Sequence, residues 1–149
     1  MDVIEYALSH FGICVSDLDR ALRFYCDGLG FDKAEVFEVG NEFASPLEVE
    51  GDVLVTSQFI RRGAAAIELL HYATPGVVGT PSARRNQLGI THLSFIVADI
   101  EAAIAHLVTC GGTVVPGTRF GKGDPALIQI VFLADPDGTR VELMQYPAA

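Results

Sequence analysis

The hydrophobic and polar positions of this chain follow the same order twice. An alternating segment at residues 9–15 precedes apolar residues at helical spacing, namely Leu18, Leu22, Tyr25 and Leu29. A second alternating segment at residues 90–97 precedes a second such set, namely Ile100, Ala103, Ile104 and Leu107. Alternation with period two predicts a half-buried strand, and apolar residues three to four positions apart predict an amphipathic helix. Each half is therefore predicted to begin with a strand and a helix.

The two halves match when they are superposed at one constant offset. The identical pairs are His10 and His92, Val15 and Val97, Asp17 and Asp99, Ala21 and Ala103, and Gly30 and Gly112. The closing segments Ile67-Glu-Leu-Leu70 and Val141-Glu-Leu-Met144 also match, once a shorter middle is allowed in the second half. We expect the two aspartates to cap the helices and the glycines that follow each helix to end it. The chain is thus an internal repeat.

Three further strands are predicted in each half. They lie near residues 33–38, 53–61 and 65–72 in the first half, and near 113–118, 126–134 and 140–145 in the second. Asp135-Pro-Asp-Gly138 is a strong turn signal before the last strand. The predicted fold class is α+β, with two βαβββ modules in a single domain spanning residues 1–149. Module 1 covers about 8–73, the linker 74–89, and module 2 about 90–147.

Strand parity brings four polar residues to the face that the helices do not cover. If Phe11, Ile13 and Val15 face the helix, His10 faces away, because side chains alternate along a strand. The same alternation turns Glu68, His92 and Glu142 away from their helices. Two imidazoles and two carboxylates suit a divalent ion such as Zn, Ni, Co, Mn or Fe(II). A single histidine or glutamate of this kind is usually an ordinary polar residue, but the pairwise match across the repeat favours a metal site.

Composition and charge exclude several classes of function. Lys and Arg number 10 and Asp and Glu 19, so the net charge is −9 and binding to nucleic-acid phosphates is disfavoured. No apolar stretch is long enough to span a membrane, and the acidic start is unlike a signal peptide. We therefore expect a cytoplasmic protein with three reduced thiols, Cys14, Cys26 and Cys110. A mean hydropathy of +0.34 for a chain this small indicates a buried subunit interface, and we expect a homodimer.

Three segments together resemble the vicinal oxygen chelate superfamily, which includes glyoxalase I, methylmalonyl-CoA epimerase, extradiol dioxygenases and bleomycin resistance proteins. They are His10-Phe-Gly-Ile-Cys-Val-Ser-Asp-Leu-Asp-Arg-Ala-Leu-Arg-Phe-Tyr25 with Gly28-Leu-Gly-Phe31, then Thr91-His-Leu-Ser-Phe-Ile-Val-Ala-Asp99, and finally Leu133-Ala-Asp-Pro-Asp-Gly-Thr-Arg-Val-Glu-Leu143. The resemblance implies an open eight-stranded half-barrel around a metal cleft. It also implies that His10, Glu68, His92 and Glu142 bind one divalent metal ion per site.

The resemblance further implies a reaction class. It points to an isomerase or lyase of the glyoxalase I or acyl-CoA epimerase type, acting on a small molecule with adjacent oxygens. A carboxylate removes a proton next to a carbonyl, and the metal chelates the resulting enolate or enediolate. Glu142 is the first candidate for this base and Glu68 the second. The His-Glu-His-Glu ligand set is more similar to that of glyoxalase I than to that of the epimerase.

Two other classes stay open on the sequence. An Fe(II) extradiol-type dioxygenase would use His10, His92 and Glu142 as a facial triad, although Glu68 would then occupy a position needed for oxygen or substrate. A small-molecule binding or antibiotic resistance protein would need no metal. Within the epimerase class, Glu48 or Glu50 could serve as a second base, but the simpler interpretation is an exposed acidic loop.

Overall fold

A computed structural model describes residues 4–147, and each half of the chain forms one four-stranded mixed sheet. The first sheet contains β1 (Phe11–Cys14), β2 (Asp32–Val39), β3 (Leu54–Arg62) and β4 (Ala65–Thr74). The second contains β5 (Leu93–Ile96), β6 (Thr113–Val114), β7 (Gln129–Ala134) and β8 (Arg140–Gln145). The strand orders are β1-β4-β3-β2 and β5-β8-β7-β6, so the two sheets share one topology. The predicted α+β class is confirmed.

The helix of the second half begins and ends as its sequence predicts. This helix, α2, spans Ile100–Thr109, and the Asp99 carboxylate accepts a hydrogen bond of 3.0 Å from the Ala102 N–H as its N-cap. At the other end the Gly112 N–H donates to the Leu107 carbonyl at 2.8 Å. Gly111 makes this closure possible because its φ of 98° lies in the left-handed region.

The helix of the first half departs from the regular helix that its apolar spacing predicts. Helix α1 covers only Leu18–Leu22 and continues as a π-helical stretch over Arg23–Gly28. The Leu29 N–H donates to the Phe24 carbonyl, five residues back, at 3.0 Å. Phe24 and Tyr25 are adjacent in sequence and both fully buried. We attribute the wider turn to the burial of two neighbouring aromatic side chains. Apolar spacing at 3.6 residues per turn does not predict that two adjacent residues are both buried.

Four of the predicted strands are too long, including the segment 126–134, of which only Gln129–Ala134 forms β7. Residues 9–15 and 90–97 were expected as strands, but pairing with β4 and β8 is confined to Phe11–Cys14 and Leu93–Ile96. His10 and His92 therefore lie immediately before β1 and β5. Strand β6 has two residues instead of the six expected at 113–118, because only Thr113 and Val114 pair with β7.

The structure divides into two compact units, each with its own buried side chains. The first consists of the chain up to Leu18 together with Gly30–Val77, and the second of Asp19–Leu29 together with the chain from Val78. The first helix thus packs in the second unit. The module limits 8–73 and 90–147 follow the sequence repeat instead, and they stay a prediction. Alternation in β4 and β8 is as expected, since Ile67, Leu69, Val141 and Leu143 are buried.

A buried carboxylate organises the turn before β8. Asp135 is 3% exposed, and its side chain accepts hydrogen bonds from the Tyr25 hydroxyl (2.9 Å) and from the backbone N–H groups of Asp137, Gly138 and Thr139 (3.0, 2.8 and 2.7 Å). Burial raises the pKa of Asp135, although the hydrogen bonds from Tyr25 and the turn oppose that rise. Burial beside this carboxyl raises the pKa of Tyr25 well above its usual value. The sequence predicts the turn but not its buried partner.

The sequence also led to expectations about the cysteines and about membrane-spanning segments. No disulfide joins Cys14, Cys26 or Cys110, in agreement with the prediction of reduced thiols. Within residues 4–147 we find no helix whose length and apolar character would let it cross a membrane.

The Asp135 hydrogen bonds predict a graded loss of stability. Tyr25→Phe removes one hydrogen bond and should lower the free energy of unfolding by about 1 kcal/mol. Asp135→Ala leaves the hydroxyl and three backbone donors without their acceptor and should cost roughly 3 kcal/mol. Urea unfolding of both variants and of the double variant measures this. The double variant should lose less than the sum of the two losses, and strict additivity would contradict direct coupling.

Candidate active site

In the first unit, parallel strand pairing brings His10 and Glu68 together. The register places Gly12 of β1 opposite Glu68 of β4, so His10 lies on the same face as Glu68 at the start of β1. The distance from His10 Nε2 to Glu68 Oε2 is 3.2 Å, and the side chains are 33% and 20% exposed. An imidazole and a carboxylate therefore meet at a partly open position on the sheet.

The second unit contains the equivalent pair. Ser94 of β5 pairs with Glu142 of β8, and His92 precedes β5 as His10 precedes β1. His92 Nε2 lies 3.5 Å from Glu142 Oε2, with side-chain exposures of 31% and 15%. The sequence-predicted residues thus form two His–Glu pairs of the same construction, one in each unit.

A hydroxyl group contacts the other ring nitrogen of each histidine. Ser9 Oγ lies 2.9 Å from His10 Nδ1, and Thr91 Oγ1 lies 2.7 Å from His92 Nδ1. When the hydroxyl accepts the Nδ1 proton, the Nε2 lone pair remains available on the side facing the glutamate. Our sequence prediction did not include these residues. The signal was nevertheless present, since a hydroxyl residue directly precedes both repeat-matched histidines.

An aromatic ring fixes the plane of each imidazole. Phe59 is paired with Glu68 across β3 and β4, and its ring stands edge-on to His10 with centroids 5.0 Å apart. Phe132 is paired with Glu142 across β7 and β8 and contacts His92 in the same way at 5.1 Å. Because the edge-to-face contact restrains ring rotation, each Nε2 is held toward its glutamate.

Besides its histidine, each glutamate contacts a serine hydroxyl, and the carboxylate oxygen used for this contact differs between the two. Buried Ser57 on β3 donates to Glu68 Oε1 at 2.5 Å, leaving Oε2 for His10. Ser94 on β5 donates to Glu142 Oε2 at 2.7 Å, the same oxygen that faces His92. Each carboxylate is oriented by a hydroxyl, but only the Glu68 contacts are divided between its two oxygens.

Tyr72 lies near Glu68 on the same strand, β4. Burial raises the pKa of Tyr72, and the nearby Cys14 and Glu68 add to the rise. The phenol therefore keeps its proton at neutral pH. The sequence offered no signal for this neighbour beyond its place in β4.

A cavity of about 550 Å³ adjoins Glu68 in the first unit. Its polar lining residues are Ser57, Glu38, Glu42 and Glu68, and Phe59, which contacts His10, is also part of the lining. The Glu38 carboxylate accepts a hydrogen bond from Thr56, on the opposite face of β3 from Ser57. The rest of the lining is apolar and consists of Val36, Phe37, Val39, Phe43, Leu47 and Leu70. This volume is within the range typical of small-molecule sites. Glu48 and Glu50, by contrast, are exposed loop residues outside the lining.

Each His–Glu pair offers one imidazole nitrogen and one carboxylate, and both are suitable ligands for a metal ion. Imidazole nitrogen and carboxylate oxygen suit Zn and other borderline divalent ions. Over residues 4–147, however, no three His, Cys, Asp or Glu side chains are clustered as a metal site requires. The structure brings together His10 with Glu68 and His92 with Glu142. That all four bind one ion stays a prediction.

Comparison with known proteins identifies the family. Residues 7–143 match the family model described as the Glyoxalase/Bleomycin resistance protein/Dioxygenase superfamily, and the chain belongs to this superfamily. The match covers both His–Glu pairs.

The relatives are named for different reactions. A 2-epi-5-epi-valiolone epimerase from Actinomyces is 29% identical, with 95% of this chain and 80% of that protein aligned. A lactoylglutathione lyase from Schizosaccharomyces pombe is 31% identical over 96% of this chain, which spans only 48% of that protein. A solved structure of a glyoxalase family protein from Bacillus cereus has a TM-score of 0.81 at 21% identity, covering 99% of this chain and 98% of the other. The last similarity establishes the fold alone.

Proposed function

We propose that this protein is a divalent-metal-dependent isomerase or lyase that moves a proton next to a carbonyl group. The observation that carries the proposal is the duplicated His–Glu pair, in which a hydroxyl contacts Nδ1 while Nε2 faces a carboxylate. This is the arrangement by which proteins orient histidine for a metal. The names of the relatives, an epimerase and a lyase, support the same reaction class.

His10, Glu68, His92 and Glu142 would supply the four protein ligands of one ion, with Zn, Ni, Co or Mn as candidates. When bound, the ion supplies positive charge that stabilises negative charge developing on a carbonyl oxygen. An ion held by these four residues would also be able to bind a substrate through adjacent oxygens.

A carboxylate of this set would act as the base. Pattern alone ranks Glu142 before Glu68, but the cavity makes Glu68 the stronger candidate because Glu68 lines the space where a substrate would lie. The Ser57 hydrogen bond would hold Oε1 in place while Oε2 accepts the proton and returns it to the neighbouring carbon.

The Fe(II) dioxygenase would have a different use for these residues. Its facial triad would be His10, His92 and Glu142, and Glu68 would be dispensable. The hydrogen bond from Ser57 and the adjoining cavity instead support a role for Glu68 in the site. A binding protein that needs no metal would retain its ligand after chelation.

We predict that the purified protein, stripped with a chelator and titrated with Zn, Ni, Co or Mn, binds one ion per chain. His10→Ala and His92→Ala should each weaken binding by about a hundredfold or more, because each removes a direct ligand. His106→Ala is the matched control, since this exposed histidine lies on α2 and its Nε2 contacts the Asp27 carbonyl. Calorimetry and elemental analysis provide the readout. A chain that binds no stoichiometric metal would overturn the metal assignment.

We predict a smaller loss when the hydroxyls behind the histidines are removed. Ser9→Ala and Thr91→Val should each lower metal affinity by about tenfold, because Nδ1 loses the partner that orients the ring. Calorimetric titration with the tightest-binding metal measures the change. If both variants bind as tightly as the parent protein, the hydroxyl contacts have no role in orienting a metal ligand.

We predict that Glu68→Gln lowers substrate proton exchange by about a hundredfold or more, as expected when a general base is removed. Deuterium incorporation, followed by NMR with the glutathione adduct of methylglyoxal, methylmalonyl-CoA and uncharged hydroxy ketones, measures the rate. Glu142→Gln is the matched comparison and shows which carboxylate is the base. Oxygen uptake with a catechol that survives Glu68→Gln would support the dioxygenase instead.

A further inference from the structure

We propose that the cavity beside Glu68 is the substrate pocket and that it selects a compact uncharged α-hydroxy carbonyl compound over one with an anionic carrier or phosphate. The identity of the reacting carbonyl rests on the proposed function. The charge selection and the location of the pocket rest on the first unit alone.

The pocket wall is an ordered part of the fold. It is formed by β2, by the short 3₁₀ helix Asn41–Phe43 and by the turn that follows it. Asn41 closes the base of this loop, because its Oδ1 accepts from the Val53 N–H at 2.6 Å and its Nδ2 donates to Asp52. The Leu47 N–H donates to the Phe43 carbonyl at 3.0 Å. The apolar side chains of the wall are thus held by a hydrogen-bonded loop.

The charge of the lining disfavours anions. Glu42 and Glu68 contribute carboxylates, and no Lys, Arg or His is among the described residues that line the cavity. The Arg61 guanidinium lies 5.8 Å from the Phe59 ring centroid, but its charge is paired with Glu35 at 3.2 Å. A phosphate or carboxylate entering here would meet like charge without a counter-ion. The anionic tails of CoA and glutathione fit this lining poorly.

The remaining surface fits an uncharged body. Phe37 and Phe43 supply aromatic surface, and Phe37 stands edge-on to Phe59 at 6.1 Å. Ser57 and Glu68 are hydrogen-bonded neighbours in the lining, so a substrate would place its carbonyl and hydroxyl oxygens there and its carbon skeleton against the apolar wall. The expected ligand is therefore small and hydroxylated at one end and apolar at the other.

Matched ligands test this selection. Dihydroxyacetone and dihydroxyacetone phosphate share one carbonyl and differ by the phosphate, and 2-hydroxycyclohexanone adds an apolar body. Binding is measured by NMR shifts of Phe37 and Phe43, and proton exchange by deuterium incorporation. We expect both uncharged ligands to be favoured over the phosphate by about tenfold or more. Equal or better binding of the phosphate ester would overturn the proposal.

Charge variants identify the source of the selection. Glu42→Lys should reduce the preference for uncharged ligands about tenfold or more, because it replaces a carboxylate of the lining with a cation. Glu50→Lys in the same loop is the control, since Glu50 is exposed and outside the lining. An unchanged preference in Glu42→Lys, or the same change in the control, would count against the pocket.

The two proposals can fail separately. If the protein binds no metal and exchanges no proton, the proposed function fails, but the NMR shifts still show whether the cavity binds uncharged ligands. If exchange occurs and is fastest with the anionic substrates, the function stands and the charge selection is wrong.

Discussion

The parallel pairing of the first and last strand of each repeat is the constraint on which both His–Glu pairs depend. In β4, Ile67 and Leu69 are buried, and Glu68 between them must point to the opposite face. A register slip of one residue would place the carboxylate in the core, which is too costly for an unpaired charge. Burial of the apolar residues therefore sets the register, and the register sets the position of the glutamate relative to the histidine that precedes β1. The same argument holds for Glu142 between Val141 and Leu143.

The two repeats have equivalent His–Glu pairs, but the hydroxyl that orients the glutamate comes from a different strand in each. Gly12 has no side chain and stands opposite Glu68, so the hydroxyl that orients this carboxylate comes from Ser57 on the neighbouring strand. In the second repeat Ser94 stands at the position of Gly12 and donates the equivalent hydrogen bond itself. Both arrangements satisfy a carboxylate that is mostly buried. They leave the two glutamates with different second contacts, which under the proposed function would make them unequal as candidate bases.

Much of this organisation could be predicted from the sequence because it depends on local periodicity. The repeat follows from identical residues at one constant offset, the fold class from strand and helix periods, and the face on which His10 and Glu68 lie from period-two alternation. The shortened strands, the π-helical turn at Arg23–Gly28 and the Tyr25–Asp135 hydrogen bond depend on contacts between distant segments, which periodicity does not contain. The cavity was missed for the same reason: its wall is a hydrogen-bonded loop whose position is set by tertiary contacts.

The duplication accounts for the paired histidines and glutamates but not for the cavity beside Glu68. Strand β2 has eight residues and its counterpart β6 has two. The part of β2 that lines the cavity therefore has no counterpart strand in the second repeat. Duplicated pairs provide symmetric chemistry, whereas a substrate with distinct ends needs an asymmetric surface to fix its orientation. The longer first repeat supplies such a surface beside Glu68. Under the proposed function, the cavity that is specific to the first repeat would orient the substrate toward Glu68. The two equivalent His–Glu pairs would together supply the metal ligands.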